Sequence, residues 1–231
     1  MKLNWQLPAF LVIAALLSSR LRSNAQSQDT VTNALPTLAE LMTTNDVVTN
    51  TVDIVLVKIS SGFWAGKYIV TQNAYEKVMD NNPSAFKGGD NPVDSVSWND
   101  ATAFCSKLTE KEKSLRQLPV GYSYSLPTEE QWESLVSDAS LDDAVMSLNG
   151  NIRSSTAPVG SLKPNSLGLY DTRGNVMEWC LDSHDPAYRV LRGGSWNTSV
   201  EPNSRIAFRW YAKPDDSTNT FGFRVVLEQD Q

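Results

Sequence analysis

Asp171 and Glu178 have the clearest claim to chemistry in this chain, because they flank a glycine in Asp171-Thr-Arg-Gly174-Asn-Val176-Met-Glu178. A hard cation such as calcium takes about six to eight oxygens, and two carboxylates with loop carbonyls supply that class of donor. The same carboxylates can instead accept backbone N–H groups in a tight turn without any metal. Downstream lie Arg192, Arg205, Arg209 and Arg224. A guanidinium makes planar, two-pronged contacts with carboxylates and carbonyls, so structural pairing is expected of these four in preference to an anion site. Trp210 and Tyr211 fall in a polar stretch between Arg209 and Pro214, where an exposed aromatic pair suits ligand contact. With Asn197, Thr198, Asn203, Asp215 and Asn219 they form a mixture of rigid aromatics and adaptable hydrogen-bonding groups, which suits a binding surface.

Other chemistries are poorly provided for. His184 is the only histidine, which excludes a multi-histidine metal site, and it reads as a surface residue. Gly193-Gly194 reads as a tight turn, and no nucleotide-binding glycine loop is present. Cys105 and Cys180 are the only cysteines, too few for a disulfide scaffold. Cys105 shares a helical stripe with Ala101, Phe104 and Leu108, so buried free thiols are expected; a mutual disulfide and reactive chemistry are the alternatives.

The elements that must position these groups are legible in part. Val52–Ile59 is β-branched and apolar, as a strand is, and Gly66–Val70 continues the opening sheet. Helices are expected from about Thr71 to Met79, from about Asn99 to Lys111, and after Thr128-Glu-Glu-Gln131, where hydroxyl and amide can cap each other's backbone and Trp132, Leu135 and Val136 form the stripe. A short helical piece is expected up to Met146, and short strands near Val190–Arg192 and Phe223–Leu227. Strand, helices and then a loop-rich half with short strands indicate an α+β domain. Trp98, Trp132, Trp179 and Trp196 are expected in its core.

The N-terminus reads as a secretory signal over residues 1–25: Lys2, an apolar stretch from Leu7 to Leu17, then Ser23-Asn-Ala25. That stretch is too short to span a bilayer, so no transmembrane span is expected in the mature chain, although an uncleaved anchor is an alternative. Residues 26–51, rich in Thr, Asn and Ser, read as a flexible leader, and 52–231 as the domain. Removing Lys2, Arg20 and Arg22 leaves 17 basic against 26 acidic residues, a formal charge of −9. An acidic exported chain without basic clusters is repelled by phosphate backbones, so nucleic acid is excluded as a partner.

Several motifs together carry a resemblance. Gly168-Leu-Tyr-Asp171 through Glu178-Trp179 is followed in order by Arg192-Gly-Gly-Ser-Trp196, Arg205-Ile-Ala-Phe-Arg209 and Gly222-Phe-Arg224. Upstream stand Gly66-Lys-Tyr-Ile-Val-Thr71, Pro92-Val-Asp-Ser-Val-Ser-Trp98, Leu126-Pro-Thr-Glu-Glu-Gln-Trp132 and Pro158-Val-Gly-Ser161. From about residue 60 to 227 the chain resembles the formylglycine-generating enzyme, or sulfatase-modifying factor, family. The resemblance implies a fold related to C-type lectin domains, with small antiparallel sheets, few helices and long packed loops. It also implies a structural calcium ion on the side chains of Asp171 and Glu178 and the backbone oxygens of Gly174 and Val176. A second family calcium site begins with an Asn-Ile pair, here Asn151-Ile152, but its later ligands have no counterpart.

The resemblance also frames function. Catalytic members carry a cysteine pair just after the Arg-Gly-Gly-Ser-aromatic segment, which binds copper(I) and activates oxygen to convert a substrate cysteine to an aldehyde. Residues 197–221 contain no cysteine, and amide and hydroxyl groups do not replace thiolates for a soft ion, so copper chemistry is not expected. The expectation is an exported, non-catalytic binding or display module for a protein or cell-surface ligand, in its sharper form a receptor diversified by a retroelement over 197–221. An enzyme of altered chemistry on the same scaffold and a structural subunit of an envelope assembly are the alternatives.

Overall fold

A computed structural model describes residues 35–148 and 152–230; the expected signal, the first part of the expected leader and Asn151 lie outside the described residues. The described residues from Pro36 onward belong to one compact unit. That unit begins earlier than composition suggests. Leu38–Thr44 is helix α1, opened by a capping box in which Thr37 and Glu40 satisfy each other's backbone, and Val47–Thr49 is strand β1. The expectation of a flexible leader up to residue 51 is therefore corrected: Leu38, Met42 and Val48 enter the main core, at 2%, 8% and 4% exposure.

Burial of such side chains contributes about 1.5–3 kcal/mol each. Deleting residues 36–50 is accordingly expected to lower the urea midpoint of the domain steeply, as read by tryptophan fluorescence. An unchanged midpoint would return the domain boundary to residue 52.

Strands β2 (Val55–Ser60) and β3 (Phe63–Gly66) follow, then helices α2 (Gln72–Met79) and α3 (Trp98–Ser114), strand β4 (Tyr122–Ser125) and helix α4 (Glu129–Val136). The second half supplies β5 (Met177–Asp185), β6 (Tyr188–Arg192), the short helix α5 (Glu201–Ser204), β7 (Trp210–Ala212), β8 (Phe221–Gly222) and β9 (Val226–Gln229). Two sheets result, one ordered β1-β2-β3-β9-β4 and one ordered β7-β6-β5-β8. Strand β9 pairs antiparallel with both β3 and β4, so the end of the chain closes the opening sheet.

The central strands are apolar on both faces because both faces are covered. Leu56, Trp64 and Leu227 face the main core, which receives Tyr75, Phe104 and Leu108 from α2 and α3. Val57, Ala65 and Val226 face the other way, onto Leu135 and Leu169. Helix α4 serves both sheets, since Trp132 and Val136 pack on Cys180 and Val190 of the second one. Its cap is the expected reciprocal pair of Thr128 and Gln131. The expected helical piece before Met146 is replaced by turns, and the expected strand at Gly66–Val70 lies earlier, at Phe63–Gly66.

Candidate functional site

The motif loop from Gly168 to Glu178 is held by left-handed backbone and by side-chain brackets. Asp171, Gly174 and Asn175 have φ of 52°, 83° and 63°, conformations in which glycine is unstrained and asparagine and aspartate are tolerated. The Asn175 side chain is fully buried, accepts from Ala157 N at 3.1 Å and donates to Ala157 O at 3.0 Å. Its backbone is fixed at both ends, its N–H donating to Val145 O at 2.8 Å and its carbonyl accepting from Trp196 N at 2.9 Å. One asparagine thus ties together four separate loops, an arrangement irregular backbone requires when it is buried away from water.

Glu178 leads into β5 and is completely buried opposite Arg224, which is equally buried. Arg224 donates through Nε (3.2 Å) and Nη2 (2.8 Å) to the two carboxylate oxygens, and to the carbonyls of Gly66 (2.8 Å) and Tyr170 (2.7 Å). Asp171, also buried, accepts from Gly160 N at 2.7 Å and from Asn175 Nδ2 at 3.4 Å. Burial pushes both carboxyls above the ordinary carboxylate range; Arg224 opposes the rise at Glu178, and the Gly160 N–H and Arg224 oppose it at Asp171. One guanidinium faces two carboxylates, so the cluster carries an excess of negative charge. Among the described residues no three His, Cys, Asp or Glu side chains converge as a metal cage, so a cation here would have to draw on carbonyls, as the pairing of Asp171 and Glu178 with Gly174 and Val176 implies.

The arginines pair as expected. Arg192 is buried over the Trp132 ring, 4.9 Å from its centroid, and bridges Glu129 and Glu133, with 2.7 Å to Glu133. It also donates to Ile206 O at 2.6 Å. Arg209 reaches the second oxygen of Glu129 and lies over Tyr211. The segment after β6 is thereby anchored to the first turn of α4.

On this frame the expected binding residues separate into two kinds. Asn197, Trp210 and Asp215 are exposed, and Trp210 shows 46% of its surface. Thr198 is buried, its hydroxyl accepting from Ser195 N at 2.9 Å, so it braces the turn instead of facing solvent. Asn203 and Asn219 are half-buried; the carbonyl of Asn219 accepts from Trp196 Nε1 at 3.0 Å. Asp215 accepts from Asn99 and so ties its loop to the start of α3.

Trp210 and Tyr211 are neighbours in β7 and therefore face opposite sides of the sheet. Tyr211 stacks on His184 with centroids 3.8 Å apart, while Phe208 lies 6.4 Å from Trp210. Sequence reasoning missed Phe208 and the His184–Tyr211 stack, since the latter joins β5 and β7 across β6 and depends on a register no local pattern encodes. The cysteines are free and buried, Cys105 in the main core and Cys180 against Trp132, and burial raises both thiols.

The family model of the sulfatase-modifying factor enzyme 1-like domain matches residues 40–229. The chain is 30% identical over 199 residues to "Chaperone protein LppX" of Paenibacillus barcinonensis, covering 61% of this chain and 71% of that protein. It is 34% identical over 169 residues to the formylglycine-generating enzyme of Streptomyces coelicolor, covering 60% of this chain and 53%, about half, of that one. Among solved structures, Treponema denticola variable protein 1 superposes with a TM-score of 0.62 at 25% identity, covering 79% of this chain and 94% of the other. The α+β fold of small sheets, few helices and packed loops is the one these relatives share. Among the described residues no helix is long and apolar enough to cross a membrane.

Proposed function

We propose that this chain, which belongs to the sulfatase-modifying factor enzyme 1-like domain family, is an exported binding module that engages a protein or cell-surface ligand through the 197–221 surface. The observation that carries this reading is Trp210: a large aromatic, 46% exposed, held on a strand whose hydrogen-bonded register with β6 and whose Arg209–Glu129 tie fix its position. Rigid exposed aromatics with polar neighbours are the usual anchors of protein recognition. The likeness to proteins named as a variable protein and as a chaperone supports binding as the function, and supports export. Oxidation in the manner of the formylglycine-generating enzymes lacks support: both thiols are buried in separate clusters, and a thiolate must be reachable to bind copper.

In the sharper form of the reading, a retroelement diversifies this surface. Sequencing the locus across a natural population is then expected to show substitutions at exposed positions such as Asn197, Trp210 and Asp215, with Thr198, Ser204 and Thr220, which are buried, held fixed. Uniformly low variation over 197–221 would leave a module with one fixed partner.

We further propose a structural calcium ion on Asp171, Glu178 and the carbonyls of Gly174 and Val176, because a cation would offset the excess buried negative charge left by a single Arg224. Calcium at a hundredfold excess over its Kd is expected to add about 2.7 kcal/mol of stability. Asp171→Asn, which keeps the bond from Gly160, is expected to lose that response. The sign with pH follows from the raised carboxyls. Without calcium these two groups bind more protons in the folded state than in the unfolded one, so their contribution to stability is fully present below the ordinary values of 3.8 and 4.5 and is lost as pH rises through the higher folded values. Thermal unfolding with and without calcium at several pH values checks both; the same melting temperature in calcium and in chelator would remove the ion from the account.

A further inference from the structure

Beside the motif loop lies a cavity of about 190 Å³ whose lining carries both acidic and basic side chains. At about 30 Å³ per molecule it holds roughly six waters, which sets the scale of any occupant at a small metabolite. Asp138, Asp143 and Asp171 contribute carboxylates to its lining, and Lys163 and Arg173 contribute cations. No aromatic ring lines it, so it offers nothing on which a sugar face or a nucleobase would stack.

The charged groups are not used up on one another. Arg173 donates from Nη1 to Ala139 O at 3.2 Å and from Nη2 to Ser204 O, and makes no ion pair with a carboxylate among the described residues. It is half-buried. Asp143 is half-buried, and among the described residues its carboxylate has neither a hydrogen bond nor an ion pair. Asp138 is held ionised, below the ordinary range, by the N–H of Ser166 at 2.7 Å. A simple anion would meet three carboxylates, and a simple cation would meet Lys163 and Arg173. A molecule carrying both charges meets complementary groups of each kind.

We propose that this cavity binds a small zwitterion of the free α-amino acid class, with its ammonium toward Asp138 and Asp143 and its carboxylate toward Lys163 and Arg173. Asp138 and Asp143 balance Lys163 and Arg173, because the Asp171 carboxylate is already held by Gly160 and Asn175, so the lining favours a zwitterion over either single charge. The lining includes neither Trp210 nor its strand, although Arg173 donates to Ser204 O within the 197–221 segment.

Titration calorimetry of the full chain with glycine, L-lysine and L-glutamate, beside ethylammonium and acetate as single-charge fragments, tests the assignment. The amino acids are expected to bind, and each fragment at least about tenfold more weakly than L-lysine. Lys163→Gln and Asp143→Asn are each expected to weaken L-lysine by about tenfold or more, the scale of one charge-assisted hydrogen bond, with thermal unfolding unchanged. Trp210→Ala is expected to leave this binding intact, which separates the site from the ligand surface. The assignment is overturned if no amino acid binds at millimolar concentration, if the fragments bind as well as the zwitterions, or if neither variant changes the affinity.

Discussion

Arg224→Met is expected to lower the unfolding free energy by about 3–5 kcal/mol. Among the described residues the arginine is the sole cation hydrogen-bonded to Glu178, and both are removed from water, so its loss leaves a buried carboxylate without a counter-charge and takes a donor from the carbonyls of Gly66 and Tyr170. Removing one partner of a buried ion pair costs about 3–5 kcal/mol, against a typical total stability of about 5–15 kcal/mol. The defect should be pH-dependent. A stranded Glu178 is easier to bury protonated, so the variant is expected to regain stability as pH falls, and to lose it again as pH rises through the raised folded value. Adding Glu178→Gln should recover part of the loss at neutral pH, because the charge itself is the larger part of the penalty. Urea unfolding of the single and double variants at two pH values reads all of this. An Arg224→Met protein as stable as its parent would mean that the ion pair does not hold the motif loop to the sheet.

Gly174→Ala carries the second large effect, for two separate reasons. Its φ of +83° is left-handed, which costs an ordinary residue about 1–2 kcal/mol, and an added Cβ would stand 2.6 Å from Val145 O and 2.9 Å from Val145 N. The obstacle is backbone, fixed by its own bond to Asn175, so it cannot yield as a flexible side chain would. Overpacking of this kind adds about 1–3 kcal/mol. Gly168→Ala is the matched control: its φ of +77° is just as left-handed, but the space around it is open. The difference between the two urea midpoints measures the clash alone, and equal midpoints would show that the Val145 segment moves aside.

How much of this was readable in advance depended on where the physical signal was local. Thr128 and Gln131 announce the start of α4 because both halves of that cap lie within one turn. The same logic at Thr37 and Glu40 marks α1, yet the surrounding Thr, Asn and Ser residues suggest an unstructured leader; composition obscures a cap that two residues specify. Helix α3 begins at Trp98, one residue before the expected start, because Ser97 and Asp100 form its capping box. Strand β5 was hidden for the opposite reason. Glu178, Trp179 and Cys180 are all buried, so no alternation of polar and apolar residues betrays a strand, and the buried glutamate is intelligible only once Arg224 is seen beside it. The residues proposed to hold a metal or a ligand stand out by type and motif. Which of them face solvent is not legible, since Thr198 and Asn197 are both small and polar and only the turn from Ser195 to Thr198 holds one inward.

The central claim is that a rigid surface around Trp210 recognises another macromolecule. It is tested most directly by selecting partners for the native chain from a displayed library of extracellular proteins and measuring each by surface plasmon resonance against the parent, Trp210→Ala and Thr198→Ser. The account predicts at least one saturable partner whose Kd rises by about 2 kcal/mol, some thirtyfold, with Trp210→Ala and is unchanged by Thr198→Ser, which keeps the bracing hydroxyl. Partners that bind the parent and Trp210→Ala equally well would contradict it, as would copper-dependent conversion of a peptide cysteine to an aldehyde by the purified chain.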